Sequence, residues 1–285
     1  MKPVPDWNKA ALLQSPLFAP LHTVITELDE GDFPALQDCN ALLAARQPPI
    51  TVQRGFPLHF VEQEYGKLPF EAQYEPRCYL KGEVPTRADN WHDLLNALVW
   101  LTFPATKAAI NVRHYHALTD AMPDTRAASD TATKCGSERG AVRDMNTLLD
   151  ESGVIVVSAD TELAGLIRDF KCQELFWQRR EQVQEKMGFY LLGHGLYEKA
   201  LRPYIGITGQ GLLLTVEQVF FDWPLPQQLA HVDRLVANYL ADPQHCRSTG
   251  ELSPVPLLGI PGWSEENNCA DYYANTAYFR PGRRK

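Results

Sequence analysis

Residues 90–104 constrain the fold more tightly than any other stretch, because they admit one local structure. Trp91, Leu94, Leu95 and Leu98 recur at helical spacing, Asn90 stands where a side-chain oxygen caps a first turn, and Asp93 occupies the third helical position. The end of this helix is fixed as well. Phe103 precedes Pro104 and is biased out of the α region, whereas Pro104 itself suits the first turn of a new helix. The spacing therefore predicts two consecutive helices, the second over 104–118, with a break between them. Such a helix must bury its apolar stripe, so the rest of the chain has to supply a covering layer.

The flanking sequence supplies both helices and strands. Two short helices are expected over 7–28, broken at 16–20, and over 34–45; strands over 50–55, 58–63 and 74–84 follow from β-branched and aromatic residues bounded by Gly or Pro. Residues 146–158 read as a hairpin about Asp150-Glu151-Ser152-Gly153, or with their first half helical. Helices are expected from Ser158 or Asp160 to Phe170, over 173–186, from His194 to about Pro203 and over 227–240, and strands over 188–192 and 211–216. Thr119 to Ala141 has almost no large apolar side chain and reads as a mobile loop. The C-terminal part, 253–285, begins with three prolines in ten residues and reads as an extended strap, anchored by Trp263, Tyr272, Tyr273 and Phe279. The expected fold class is α+β, a single compact domain with helices packed on a modest mixed or antiparallel sheet; two lobes are the alternative.

Composition narrows the function classes. A chain of 285 residues buries roughly 70–75% of its unfolded surface without needing a disulfide or structural metal. With 45% hydrophobic and 22% charged residues it is neither fibrous nor largely disordered. The net charge of −8 works against phosphate-backbone binding, so nucleic acid is a poor partner, and the basic tail Arg280, Arg283, Arg284, Lys285 reads as a solvated terminus. The six cysteines form no C-x-x-C pair, which fits free thiols in a reducing compartment. The first residues contain no signal-like apolar stretch, and the longest apolar run, 94–104, is too short to span a bilayer. A soluble, cytoplasmic protein with no membrane partner is the expectation.

Asn90-Trp91-His92-Asp93-Leu94-Leu95-Asn96-Ala97-Leu98-Val99-Trp100, Phe103-Pro104, Asp150-Glu151-Ser152-Gly153, Glu174-Leu175-Phe176-Trp177 and Gly193-His194-Gly195-Leu196-Tyr197-Glu198-Lys199 resemble a bacterial family of unknown function catalogued as number 3025. The resemblance covers roughly residues 40–280, and within it 119–141 looks like a variable insertion. It implies no activity, cofactor or partner, so chemistry has to be read from the residues.

Four groups of residues carry chemistry in their spacing. His92 and Asn96 share one helical face, and Lys107, Asn111 and His114 share another on the following helix, so two polar stripes can converge or simply satisfy carbonyls beside the break at Pro104. His114 and His116 diverge by about 200° on a helix, which leaves His114 the candidate and His116 a surface residue. Gly193-His194-Gly195 places an imidazole where a strand turns into a helix, and Glu198 follows four residues on, offering a nitrogen and an oxygen from one face or only a turn cap and a surface ion pair. Asp144, Asp150 and Glu151 read as turn carboxylates.

Two functions stay open on these residues. One is a metal-assisted or His-dependent hydrolase holding a divalent metal ion: His194 and His92 act as ligand or general base, Glu198 and Asp93 as oxygen ligands or orienters, His114 as a further ligand, and Asn96 and Lys107 as polarising donors. The other is a non-catalytic binding or assembly protein whose partner is a small molecule or another protein. Convergence of His92, His114 and His194 in a cleft would favour the first.

Overall fold

The computed structural model describes residues 6–120 and 132–281. The chain begins with α1 (Lys9–Gln14), a 3₁₀ turn over Pro16–Leu21, α2 (His22–Thr26) and α3 (Leu36–Ala44). Pro16 and Pro20 divide the first two helices, because a proline nitrogen has no proton to donate to a helical ladder. A parallel pair of strands follows, β1 (His59–Glu62) beside β2 (Glu83–Thr86), with α4 (Tyr74–Lys81) as the crossover. The strand expected over 74–84 is thus corrected to a helix for most of its length. Pro76 sits in the first helical turn, where its missing N–H leaves no bond unmade, and Gly82 ends the helix at φ 74°, a left-handed position suited to glycine. Of the strand expected over 50–55, the described residues retain the single bridge between Thr51 and Pro57.

The break at Phe103 separates α5 (Trp91–Thr102) from α6 (Pro104–Asp120), and the Asn90 side chain accepts the Asp93 N–H at 3.1 Å. The first turn of α6 is capped from a distance, because the buried Asp233 accepts from the N–H groups of Ala105 (3.0 Å) and Thr106 (2.7 Å). The expected loop over 119–141 is helical at both ends: α6 reaches Asp120, and α7 (Ala132–Ser152) begins before residue 141, while 121–131 lie outside the described residues. The hairpin over 146–158 is also corrected, in favour of the helical alternative for its first half. Met145 and Leu149, four apart, are both fully buried, so the helical period wins, and α7 passes directly into β3 (Gly153–Ser158).

Every residue of β3 is buried, which places this strand at the centre of the larger sheet. After α8 (Thr161–Arg168), a π-helical turn at Glu174–Gln178 and α9 (Arg180–Lys186), the chain returns as β4 (Met187–Leu191), antiparallel to β3. Next come α10 (His194–Ala200) and β5 (Thr208–Thr215), parallel to β3 on its other side; α11 (Leu225–Ala241) and β6 (Ser253–Pro256) complete the mixed sheet, in the order β4-β3-β5-β6. The fold is α+β, with two small sheets enclosed by helices around a contiguous buried cluster. Beyond β6, Tyr273, Tyr278 and Phe279 are buried, and the Tyr278 hydroxyl donates to the Ile207 carbonyl at 2.8 Å. Among the described residues no helix is long and apolar enough to cross a membrane.

Candidate metal centre

The sheet itself brings two distant segments together. Because β4 runs antiparallel to β3 with Leu191 opposite Val154, the end of β4 lies beside the start of β3, and the turn into α10 meets the end of α7. The N–H of Gly193 donates to the Gly153 carbonyl at 3.0 Å. A Cβ on Gly193 would lie 2.5 Å from the Ser152 nitrogen, and one on Gly195 would overlap the Glu151 Oε2 atom. The two glycines of Gly-His-Gly therefore let the first turn of α10 press against Glu151 and Ser152, with the His194 ring buried between them. α10 also packs on α5, whose first turn carries His92.

Three ligand atoms converge there. His194 Nε2 lies 3.1 Å from His92 Nε2 and 3.4 Å from Glu151 Oε1, and His92 Nε2 lies 3.7 Å from Glu151 Oε1. On its other side His92 Nδ1 is 3.0 Å from Glu198 Oε2. An ionised carboxylate only accepts, so Nδ1 carries a proton there, and in a neutral imidazole Nε2 is then a lone pair. His194 Nδ1 is buried without a hydrogen-bond partner and faces Asp150 Oδ2 at 3.8 Å. If that nitrogen holds the proton, two nitrogen lone pairs and a carboxylate oxygen converge on one point. If Nε2 holds it instead, a lone pair faces the Asp150 carboxylate. Either neutral arrangement leaves acceptors opposed, and a cation at the point of convergence or a second proton on His194 relieves them. The spacing suits one: ligands about 2.0–2.1 Å from a tetrahedral ion lie about 3.3–3.4 Å from each other. His92, Glu151 and His194 are the described residues whose atoms could hold a metal ion together.

The surroundings fix these side chains. Lys107 on α6 is buried and its ammonium is bonded to Asp150 Oδ1, with the Trp100 ring 5.6 Å away. Burial alone would raise the Asp150 carboxyl, but Lys107 and then His194 outweigh it and hold it at about 2. Contact with His194 likewise keeps the Glu151 carboxyl below the usual carboxylate range. Asp93 is occupied by Arg87, whose backbone N–H, Nε and Nη2 donate to it at 2.6, 3.0 and 2.8 Å. The triad opens on a cleft of about 390 Å³, whose wall includes Tyr65, Tyr74, Glu75, Arg87, Asn96 and His114.

Of the residues proposed from sequence, His92 and His194 meet directly. Glu198 stands behind His92, on the side away from their shared point. Asp93, expected as an oxygen ligand or an orienter, faces Arg87. His114 is buried on the cleft wall among Glu75 and Asp150, apart from the triad. Asn96 also lines the cleft and donates to the Tyr74 hydroxyl at 2.7 Å, whereas the Lys107 ammonium is engaged with Asp150 below it. Asn111 donates to Glu75 Oε2 at 2.6 Å, and His116 is exposed. The residue that sequence reasoning assigned to a turn and the structure assigns to the cluster is Glu151; the close approach demanded by Gly193 and Gly195 was the signal that something occupied their Cβ space.

A family model described as "Protein of unknown function (DUF3025)" matches residues 58–283. No curated protein and no solved structure matches the chain.

Proposed function

The chain belongs to the DUF3025 family, which carries no assigned chemistry, and from the site we propose that it is a metal-dependent hydrolase with one divalent ion held by His92, His194 and Glu151. The convergence of their three ligand atoms within 3.1–3.7 Å carries this reading. A set of three protein ligands beside a cleft suits a catalytic rather than a structural ion, since structural sites close all four positions. Such an ion supplies a Lewis acid and lowers the pKa of water. The remaining roles belong to the protein. Glu198 orients the His92 ring, and Asp150, held by Lys107, faces the outer nitrogen of His194. His114 on the cleft wall is a group able to move a proton near the substrate.

The test is elemental analysis of protein purified without chelator, then assay of ester, amide and phosphoester hydrolysis before and after metal removal. About one equivalent of a divalent ion is expected, lost in His194→Ala and His92→Ala, with hydrolysis of one class that follows the metal. Protein that stays metal-free when zinc, manganese and ferrous iron are supplied in turn would overturn the centre and leave a binding role. Iron with oxygen-dependent turnover would overturn hydrolysis, because two histidines and a carboxylate also suit ferrous oxygenases.

A further inference from the structure

Beside the triad, the carboxylates of the cleft differ in how they are matched. Asp93 is taken up by Arg87 and Asp150 by Lys107, both through direct ion pairs. Glu75 has no Lys or Arg partner of this kind among the described residues; its Oε2 accepts only the neutral Asn111 amide at 2.6 Å, and the Lys107 ammonium nearby is already engaged. Burial pushes its carboxyl up, against the His114 imidazole and the Asn111 amide, which pull it down. Next to it, Asn96 is 6% exposed and its Oδ1 has no hydrogen-bond partner, because the amide end is turned to the Tyr74 hydroxyl. A carboxylate with no Lys or Arg partner and a carbonyl with no hydrogen-bond partner thus share one wall of the cleft. Buried acceptors left unpaired are costly, and a donor in the ligand removes that cost.

We infer that this wall is a subsite for a cationic, donor-rich group of the substrate, an ammonium held by Glu75 and Asn96 Oδ1 next to the metal centre. A primary ammonium offers three N–H donors, enough for the Glu75 oxygens and the Asn96 carbonyl together. The net charge of −8 favours approach of a cation. Tyr65, 80% exposed at the mouth of the same cleft, offers an aromatic face to the rest of such a molecule. The inference rests on the proposed metal centre only for its placement next to the reacting group; the acceptors themselves are independent of the ion.

The experiment follows the thermal midpoint of the metal-loaded protein with n-butylammonium chloride, compared with n-butanol and with sodium chloride at equal ionic strength. The expected result is a saturating rise with butylammonium alone. In Glu75→Gln, which keeps the side-chain shape and an acceptor for Asn111, apparent affinity falls by about tenfold or more, while metal content matches the wild type. An equal response to butanol, no response to butylammonium, or a response undiminished in Glu75→Gln overturns the subsite. Should that variant not fold, the wild-type comparison of butylammonium with butanol decides alone. Metal content read on the same samples separates the two proposals: metal-free protein that still responds to butylammonium sinks the centre, and metal-loaded protein that does not respond sinks the subsite.

Discussion

Replacing Lys107 separates what the buried charges do for stability from what they do for the site. The Lys107 side chain is 3% exposed and that of Asp150 12%, so their pairing takes place largely out of water. Lys107→Met removes the ammonium but keeps most of the stem volume, leaving a buried carboxylate with His194 Nδ1 3.8 Å away. Breaking a buried pair in this way costs about 3–5 kcal/mol, against about 0–1 kcal/mol for an exposed one. Asp150→Asn costs a similar amount by stranding the ammonium over Trp100. The double variant, Lys107→Met with Asp150→Asn, removes both charges and should return to within about 2 kcal/mol of the wild type, because neutral replacement of a buried pair is often tolerated. Urea denaturation of the four proteins closes a double-mutant cycle. Metal affinity, read by competition with a chromophoric chelator, should not recover with stability. Asp150 no longer places a negative charge 3.8 Å from the outer nitrogen of His194, which removes its electrostatic support of that ring. Lys107→Met within 1 kcal/mol of the wild type, or a double variant as unstable as the two single effects added together, would refute the buried-pair reasoning.

The two glycines around His194 should respond differently to alanine. Gly193→Ala places a Cβ against the backbone of Glu151 and Ser152, which cannot yield, and should lower the unfolding free energy by about 2–3 kcal/mol; Gly195→Ala meets chiefly the movable Glu151 carboxylate, and should weaken metal binding with a stability change of about 1 kcal/mol or less. Chemical denaturation and metal titration of both variants check this, and equal stability losses would count against the packing described. Glu198→Gln keeps the size of the side chain but accepts less strongly from His92 Nδ1, so metal affinity should fall by about 10-fold or more, with folding unchanged as judged by circular dichroism. Unaltered affinity would remove Glu198 from the site.

The parts of the fold legible in sequence are those where several local signals agree. Asn90, the stripe through Leu98 and the Phe103-Pro104 step fixed the boundary of two helices, because cap, period and steric exclusion agree. Tyr74–Lys81 was misread because aromatic and apolar content resembles a strand over so short a length, while Pro76 and Gly82 marked a helix start and stop. Asp150-Glu151-Ser152-Gly153 was misread as a hairpin turn because acidic and small residues also end helices; burial of Met145 and Leu149 decides, and burial is a tertiary fact.

The site divides along the same line. His92 and His194 could be nominated from sequence because each opens a helix, an unusual place for an imidazole within an apolar stripe or between glycines. Their meeting could not, since it depends on α10 packing against α5 after the antiparallel return of β4. Glu198 was nominated as an oxygen ligand or orienter on the rule that residues four apart share a helical face, and it does lie on the face of α10 that meets His92. The rule gives direction but not depth, however: Glu198 reaches Nδ1, the outer nitrogen, while Glu151 reaches the Nε2 side from another helix. A ligand contributed across an element boundary leaves no periodicity. What it left in this sequence is the pair of glycines opposite, whose missing side chains make room for the backbone and the carboxylate of Glu151.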